Sequence, residues 1–239
     1  MKHSGVIKTT LLAVIIAVGV GGAAVAGPFE DATAAYERQD YATMLRLLRP
    51  LADQGDATAQ LRLGVIYGHG SLSGIPRDYA EAAKWYRKAA DQGDAMAQIG
   101  LGAMYGDGQG VPQDYAEAVK WFRKAADQGY ASGQYSLGVM YSEGQGVPQD
   151  YAEAVKWYRK AGDQGDARAQ YNLGTLYHNG EGVPQDYVLA HKWFNLAASK
   201  LSGSDGAKAA EIRNKITAKM TPAEIAEAQK LAREWKPTK

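Results

Sequence analysis

The sequence predicts an all-α solenoid of helix-turn-helix repeats, and three observations support this fold class. The stretch from Gly108 to Gly129 recurs from Gly144 to Gly165 with two substitutions. Glycine-rich segments interrupt apolar patterns that have the spacing of amphipathic helices. A tryptophan column repeats at intervals of 36 residues: Trp85, Trp121, Trp157 and Trp193. A period of this length is typical of stacked repeats, in which each unit buries its apolar face against its neighbours.

The first 26 residues differ in composition from the rest of the chain. Lys2 and Lys8 flank their start, an apolar run extends from Leu11 to Val20, and three small residues follow. This pattern is typical of a secretory signal peptide, here cleaved before Gly27. The alternative is an uncleaved membrane anchor, but the run is shorter than the ~20 residues that a spanning helix needs. We therefore expect a periplasmic or secreted protein with no integral membrane span after cleavage.

The remaining chain divides by its internal alignment into a half-repeat, four full repeats and a closing helix pair. The half-repeat has Leu47 in the tryptophan column, and the first full repeat is two residues longer around Ser71, which indicates a surface loop there. The predicted segments are a signal peptide at 1–26, an N-terminal capping half-repeat at 27–54, repeats at 55–92, 93–128, 129–164 and 165–201, and C-terminal capping helices at 202–239.

The second half of each repeat reads as an amphipathic helix with a marked start. Asp114 stands three residues before Glu117, and this spacing predicts a capping box in which the glutamate reaches back to the amide of the cap. Asp78 with Glu81 and Asp150 with Glu153 repeat this pattern. Apolar residues follow at the spacing of one buried stripe. The opposite side is expected to face water: Lys120, Arg123, Lys124 and Asp127.

The first half of each repeat is expected to be a second helix that packs closely on its neighbour. Gly102 belongs to a Leu-Gly pair that recurs in every repeat. We interpret this glycine as the point at which the neighbouring helix comes close to the backbone. After the last repeat, Ser202 to Gly206 predicts a loop. Ile212 and Ile216 then define a further helix. Thr221-Pro-Ala-Glu predicts a capping box at the start of the last helix.

Two runs resemble the Sel1-like repeat family, the relatives of the tetratricopeptide repeat. They are Ala-x-x-x-Leu-Gly-x-x-Tyr, from Ala97 to Tyr105, and Gly-x-Gly-Val-x-x-Asp-Tyr-x-x-Ala-x-x-Trp-Phe-x-Lys-Ala-Ala-x-x-Gly, from Gly108 to Gly129. The resemblance extends over four copies and is to the exported bacterial type of this family. It implies a right-handed α/α superhelix. It also implies a role in envelope regulation, in the assembly of surface machinery or in contact with host proteins.

Charge and motifs argue against most catalytic and nucleic-acid functions. Without Lys2 and Lys8, 25 basic side chains face 26 acidic ones, so neither a nucleic acid nor an anionic membrane is an expected partner. The glycine-rich loop that begins at Gly106 lacks the Lys-Ser/Thr of a phosphate-binding loop and is interpreted as a turn. Cysteine and the common serine-nucleophile motifs are absent from the sequence. We expect no cofactor and no catalytic residue.

The histidines of the mature sequence lack metal-ligand spacing. His69, His178 and His191 fall in different repeats without nearby carboxylate pairs. They are therefore expected to be surface or loop residues and not metal ligands, and the sequence predicts no metal site.

Partner recognition is expected on the first helix of each repeat, here called the front helix, at positions where the four copies carry different residues. The positions that are the same in every copy serve the fold. In related solenoids these helices line the concave face. By that resemblance Tyr135, Arg168, Tyr171, Asn172 and His178 would form one aromatic and polar patch, and Arg62 occupies the column of Asn172 in the first repeat. Tyrosine and arginine are common interface residues. The alternative is that Tyr135 and Tyr171 merely pack between repeats.

We therefore expect a non-enzymatic scaffold or adaptor of the bacterial cell envelope, which binds another protein or a peptide in its concave groove. One alternative is an enzyme that acts on cell-wall or β-lactam substrates. Exported, cysteine-rich members of the Sel1-like family have been linked to β-lactams, but their paired cysteines are missing here. Another alternative is a glycan-binding module that uses Tyr135 and Tyr171.

Overall fold

The computed structural model of the chain describes residues 27–70 and 75–238. Within these ranges the chain forms twelve consecutive helices and no strand, which confirms the all-α repeat fold. The predicted signal peptide at 1–26 and the predicted surface loop around Ser71 lie outside the described residues. Among the helices that the structure does describe, none combines the length and apolar character needed to cross a membrane.

The helices are paired, and the odd-numbered member of each pair is called the front helix and the even-numbered member the back helix. In chain order they are α1 (Pro28–Glu37), α2 (Tyr41–Asp53), α3 (Ala57–His69), α4 (Tyr79–Asp91), α5 (Ala95–Asp107), α6 (Tyr115–Asp127), α7 (Ala131–Glu143), α8 (Tyr151–Asp163), α9 (Ala167–Asn179), α10 (Tyr187–Lys200), α11 (Gly203–Thr217) and α12 (Pro222–Glu234).

The chain divides into two compact units, one ending at Trp121 and one beginning at Phe122. In the first unit, Leu48 of α2, Leu63 of α3 and Trp85 of α4 belong to one buried core. In the second unit, a single core includes Leu173, Phe194 and Ile216 together with these smaller or partly polar buried residues: Ala154, Tyr158, Ala169, Ala190, Ala209 and Ala232. Each unit therefore buries apolar side chains from several successive helices, as a stacked repeat requires.

Close front-to-back packing depends on the repeated glycine of the front helix. A methyl group at Gly138 would lie 2.6 Å from the Tyr158 ring, and one at Gly174 would lie 2.8 Å from the Phe194 ring. Gly64 has the same relation to Tyr86, at 2.6 Å. Such distances leave no room for a side chain, so the aromatic ring of the back helix rests directly on the backbone of the front helix. This confirms the close approach predicted from the Leu-Gly pairs.

The prediction of reciprocal capping boxes on the back helices is wrong. Asp78 and Asp150 do accept the amide of the residue three positions later. However, the side chains of Glu117 and Glu153 bind Lys120 and Lys156, at 2.5 Å in each case. The cap amides are already used, because they donate to tyrosine carbonyls of the preceding front helix: Asp78 to Tyr67, Asp114 to Tyr105 and Asp150 to Tyr141. The predicted box at Thr221 and Glu224 is confirmed.

The C-terminal helix pair continues the repeat register. Helix α11 begins 36 residues after α9, as α9 does after α7. The predicted loop from Ser202 to Gly206 is wrong, because Ser202 is the residue before α11 and the helix begins at Gly203. A side chain at Gly206 would overlap the carbonyl of Leu201, so its absence permits a very short connection from α10.

Candidate partner-binding surface

A column of arginines on the back helices binds a column of tyrosines on the following front helices. Each pair is separated by 18 residues: Arg49 and Tyr67, Arg87 and Tyr105, Arg123 and Tyr141, Arg159 and Tyr177. The Arg123 guanidinium donates to the Tyr141 hydroxyl at 2.5 Å and lies 5.5 Å from the Trp157 ring centroid. The expectation that Arg123 simply faces water is therefore wrong. In the sequence, the constant spacing of 18 residues between arginine and tyrosine was the sign of this pairing.

The last pair of this series is reversed. Asn195 occupies the arginine column and Arg213 the tyrosine column, and Arg213 donates to the Asn195 Oδ1 at 2.8 Å. Helix α11 thus contacts α10 as each earlier front helix contacts the back helix before it. The C-terminal pair is built into the same stack, and its front helix adds to the same row of front-helix surfaces in the second unit.

A buried glutamine column joins each front helix to the end of the preceding back helix. Gln60 donates to the Ala52 carbonyl and Gln170 to the Gly162 carbonyl, both at 2.9 Å. Gln164 then donates to the Gln134 Oε1 at 2.8 Å. In the sequence, the glutamine that recurs near the start of each front helix was the sign of this contact. These residues, like the tryptophans and glycines, therefore serve the stacking of repeats.

Arg62 is packed against helix α1. Its Nη1 donates to the Thr33 Oγ1 at 3.2 Å, and its guanidinium lies 5.4 Å from the centroid of the Phe29 ring. Burial lowers the pKa of Arg62. Arg62 belongs to the unit that ends at Trp121, whereas the other five predicted binding residues belong to the unit that begins at Phe122.

Tyr135 lies between Arg168 on one side and the ring of Tyr158 on the other, and Asn172 is near Tyr158. The Arg168 guanidinium stands 4.3 Å from the Tyr135 ring centroid and 2.6 Å from the carboxylate of Asp166. The Tyr135 and Tyr158 ring centroids are 5.9 Å apart, and Asn172 lies near the Tyr158 hydroxyl, which is 3.1 Å from the Ser142 Oγ. Burial raises the pKa of Tyr135. These groups form a half-buried cluster in which the cation and the aromatic ring are already held in contact.

Tyr171 and His178 line a separate cavity of about 560 Å³ between α9 and α11. The Tyr171 ring meets Phe194 edge to face, with the ring centroids 5.3 Å apart. The His178 ring centroid lies 5.6 Å from that of Tyr187. Residues that line the cavity come from α9 (Tyr171, Thr175, His178 and Asn179), from α10 (Phe194), and from α11 and the turn after it (Ile212, Lys215, Ile216 and Lys219).

The histidines differ from one another in burial. His191 is 4% exposed, so the expectation of a surface or loop position is wrong for it, because its side of α10 faces the core and α11. Burial, together with Arg213, lowers the pKa of His191. Burial, together with Lys219, also lowers the pKa of His178. Within residues 27–70 and 75–238, no group of three or more histidine and carboxylate side chains is placed to hold a metal ion.

The comparison with protein families gives one match, and it extends over more than half of the chain. The Sel1 repeat profile matches residues 57–94, 95–130, 131–166 and 167–200. No protein with a curated functional description matches the chain in sequence.

Two solved structures resemble the chain in sequence and fold. One is a Sel1 repeat protein from Oxalobacter formigenes, with 35% identity and a TM-score of 0.65, where the match covers 79% of this chain and 84% of that one. The other is a protective antigen of uropathogenic Escherichia coli strains described as displaying an SLR fold, with 32% identity and a TM-score of 0.78. That match covers 88% of this chain, which spans 45% of the length of the antigen.

Proposed function

The chain belongs to the Sel1 repeat family, and on that premise we propose that it is a non-enzymatic scaffold of the bacterial cell envelope which binds a partner protein or peptide across its front helices. Sel1 repeats commonly mediate protein–protein interactions, and the family is generally a non-catalytic scaffold. The signal-peptide pattern of residues 1–26 supports a place in the periplasm or outside the cell.

One observation carries the proposal: the repeated residues serve repeat stacking, whereas divergent front-helix residues come together in the second unit. The glutamines and glycines that recur in every repeat, and the arginines that recur in the first three, bind or pack against the adjacent helix. Tyr135, Arg168 and Asn172 occur at positions where the copies differ, and they form one cluster. Tyr171 and His178 line the nearby front-helix cavity. Residues that the fold leaves free to vary are those available for a partner.

The test is photo-crosslinking in cells with a photoreactive amino acid at Asn172 or Asn179 on the front helix α9. Matched controls carry the same amino acid at the exposed positions Ala152 or Lys156 on the back helix α8. We expect the α9 probes to trap one envelope protein that the α8 probes do not trap. If all four positions give the same adducts, or none, the front helices are not the binding surface.

A further inference from the structure

The cavity between α9 and α11 has an aromatic and aliphatic floor. Tyr171 and Phe194 stand edge to face on one side, and Ile212 of α11 lies on the other. The volume of about 560 Å³ is in the range of ligand-binding clefts. A side chain of the size of phenylalanine or leucine would bury its apolar surface there.

The charged residues that line the cavity are lysines. Lys215 and Lys219 line it, and no carboxylate is among its lining residues in the described part of the chain. Lys215 is paired with Glu211 at 2.6 Å on the exposed side of α11. Lys219 makes no ion pair with any described residue, and its Nζ lies 5.5 Å from the Tyr187 ring centroid. A cation without a counter-ion beside an apolar floor favours an anionic group in the occupant.

His178 lines the cavity beside this cation. Its Nδ1 is buried and has no hydrogen-bond partner in the described residues. Burial and the proximity of Lys219 lower the pKa of His178, which disfavours a positive charge on the imidazole. Because its Nδ1 is shielded from solvent, His178 offers an occupant of the cavity the side of its ring and not this atom.

The N-terminal segment at residues 1–26, which lies outside the described residues, does not fit the cavity by charge. Residues 1–26 contain Lys2 and Lys8 and neither aspartate nor glutamate. A segment of this kind would bring further positive charge to Lys219. The charge of the cavity therefore favours a separate, acidic molecule over the N-terminal segment.

We propose that the α9–α11 cavity binds an extended acidic segment of the partner protein, with one large apolar side chain on the Tyr171, Phe194 and Ile212 floor and an adjacent carboxylate on Lys219. This inference rests on the proposed scaffold function and names the chemistry of its partner. It also assigns to the C-terminal pair a second role: besides covering the core, α11 and the turn after it supply one wall of the binding site.

The test measures the fluorescence anisotropy of labelled five-residue peptides with the purified full-length chain. The acidic probe is Asp-Glu-Phe-Glu-Asp, and the comparison peptides are Asp-Glu-Gly-Glu-Asp and Lys-Arg-Phe-Arg-Lys. We expect the acidic probe with phenylalanine to bind most tightly. Lys219→Glu should weaken its binding about tenfold through loss of the pair and new repulsion. Lys208→Glu, an equal charge change at an exposed position of α11 outside the cavity, should have little effect.

Three results would overturn the assignment. The two lysine variants could weaken binding equally, which would indicate non-specific charge attraction. The peptide without phenylalanine, or the basic peptide, could bind as well as the acidic probe. Lys219→Glu could instead dissociate a dimer in size-exclusion chromatography, which would make a second copy the occupant. If the α9 crosslinking probes still trap one protein in any of these cases, the scaffold function stands and the partner chemistry is wrong.

Discussion

At the residue scale, Tyr130 departs most clearly from the repeat pattern. The corresponding front helices α3, α5 and α9 begin with the side-chain caps Asp56, Asp94 and Asp166. Tyr130 precedes α7 without any side-chain cap, and it is a large apolar side chain that is 44% exposed. A helix start without a capping oxygen leaves a backbone donor unsatisfied. The chain therefore gives up local stability at this position.

Replacing Tyr130 by aspartate should restore the missing cap. We expect Tyr130→Asp to raise the free energy of unfolding by about 1 kcal/mol, because an aspartate cap is worth ~0.5–2 kcal/mol over a residue that cannot accept the amide. Urea denaturation followed by circular dichroism measures the change. Tyr130→Ala is the matched control, since it removes the ring without adding a cap and should not stabilise. An unchanged or lower stability of Tyr130→Asp would contradict this reading of the position.

At the element scale, successive helices are joined by pairs that the amphipathic pattern does not reveal. The pattern assigns Arg123 to the polar side of α6, but its guanidinium reaches Tyr141 of α7 and the ring of Trp157 in α8. An arginine that stacks on aromatic rings also buries its aliphatic stem. These pairs, together with the buried glutamines, fix the register of one helix on the next.

A double-mutant cycle on Arg123 and Tyr141 should measure this coupling. We expect Arg123→Met and Tyr141→Phe to show a coupling energy of about 1 kcal/mol, because the charged hydrogen bond is lost in either single variant. Chemical denaturation of the four proteins gives the value. The exposed pair of Glu153 and Lys156 on α8 is the control and should couple more weakly, since solvent screens it. Equal coupling in the two cycles would argue against a stabilising role for the arginine column.

At the scale of the whole molecule, the C-terminal pair completes the core of the second unit. Ala209 and Ile216 of α11 and Ala232 of α12 are buried in the same core as Leu173 and Phe194. The chain also returns beyond α12, where the Thr238 amide donates to the Asp163 carbonyl at 2.8 Å. A terminal repeat that covers apolar surface is a general requirement of stacked folds.

A chain that ends at Leu201 should therefore lose stability and solubility. We expect its melting temperature to fall by roughly 10 °C or more, because removal of the pair uncovers several large side chains of the core. Differential scanning calorimetry and the soluble fraction after expression measure the effect. A chain that ends at Trp235 retains both helices and is the control. If the two shortened chains have the same melting temperature, the C-terminal helix pair does not stabilise this unit.

The fold was largely predictable because it depends on local and periodic signals. The cap aspartates, the Leu-Gly pairs and the recurring tryptophans mark helix starts and close contacts within a single repeat. Predictions failed where a local signal competes with a neighbouring helix. The Asp150 amide donates to Tyr141 of α7, so Glu153 binds Lys156 and not its cap. Ser202 to Gly206 has loop composition but includes the first turn of α11. His191 fails for the same reason, since its burial depends on which helix covers it.

The sequence by itself determined the repeat, its period and the positions that vary between copies, because each of these follows from comparing successive 36-residue units of the chain. Tertiary structure decided which variable residues meet. Tyr171 and Ile212 are far apart in the chain and line one cavity because α9 and α11 both pack on α10. Tyr135 meets Arg168 of the next front helix for the same physical reason. The distances between side chains on different helices depend on packing, which a periodic pattern does not encode.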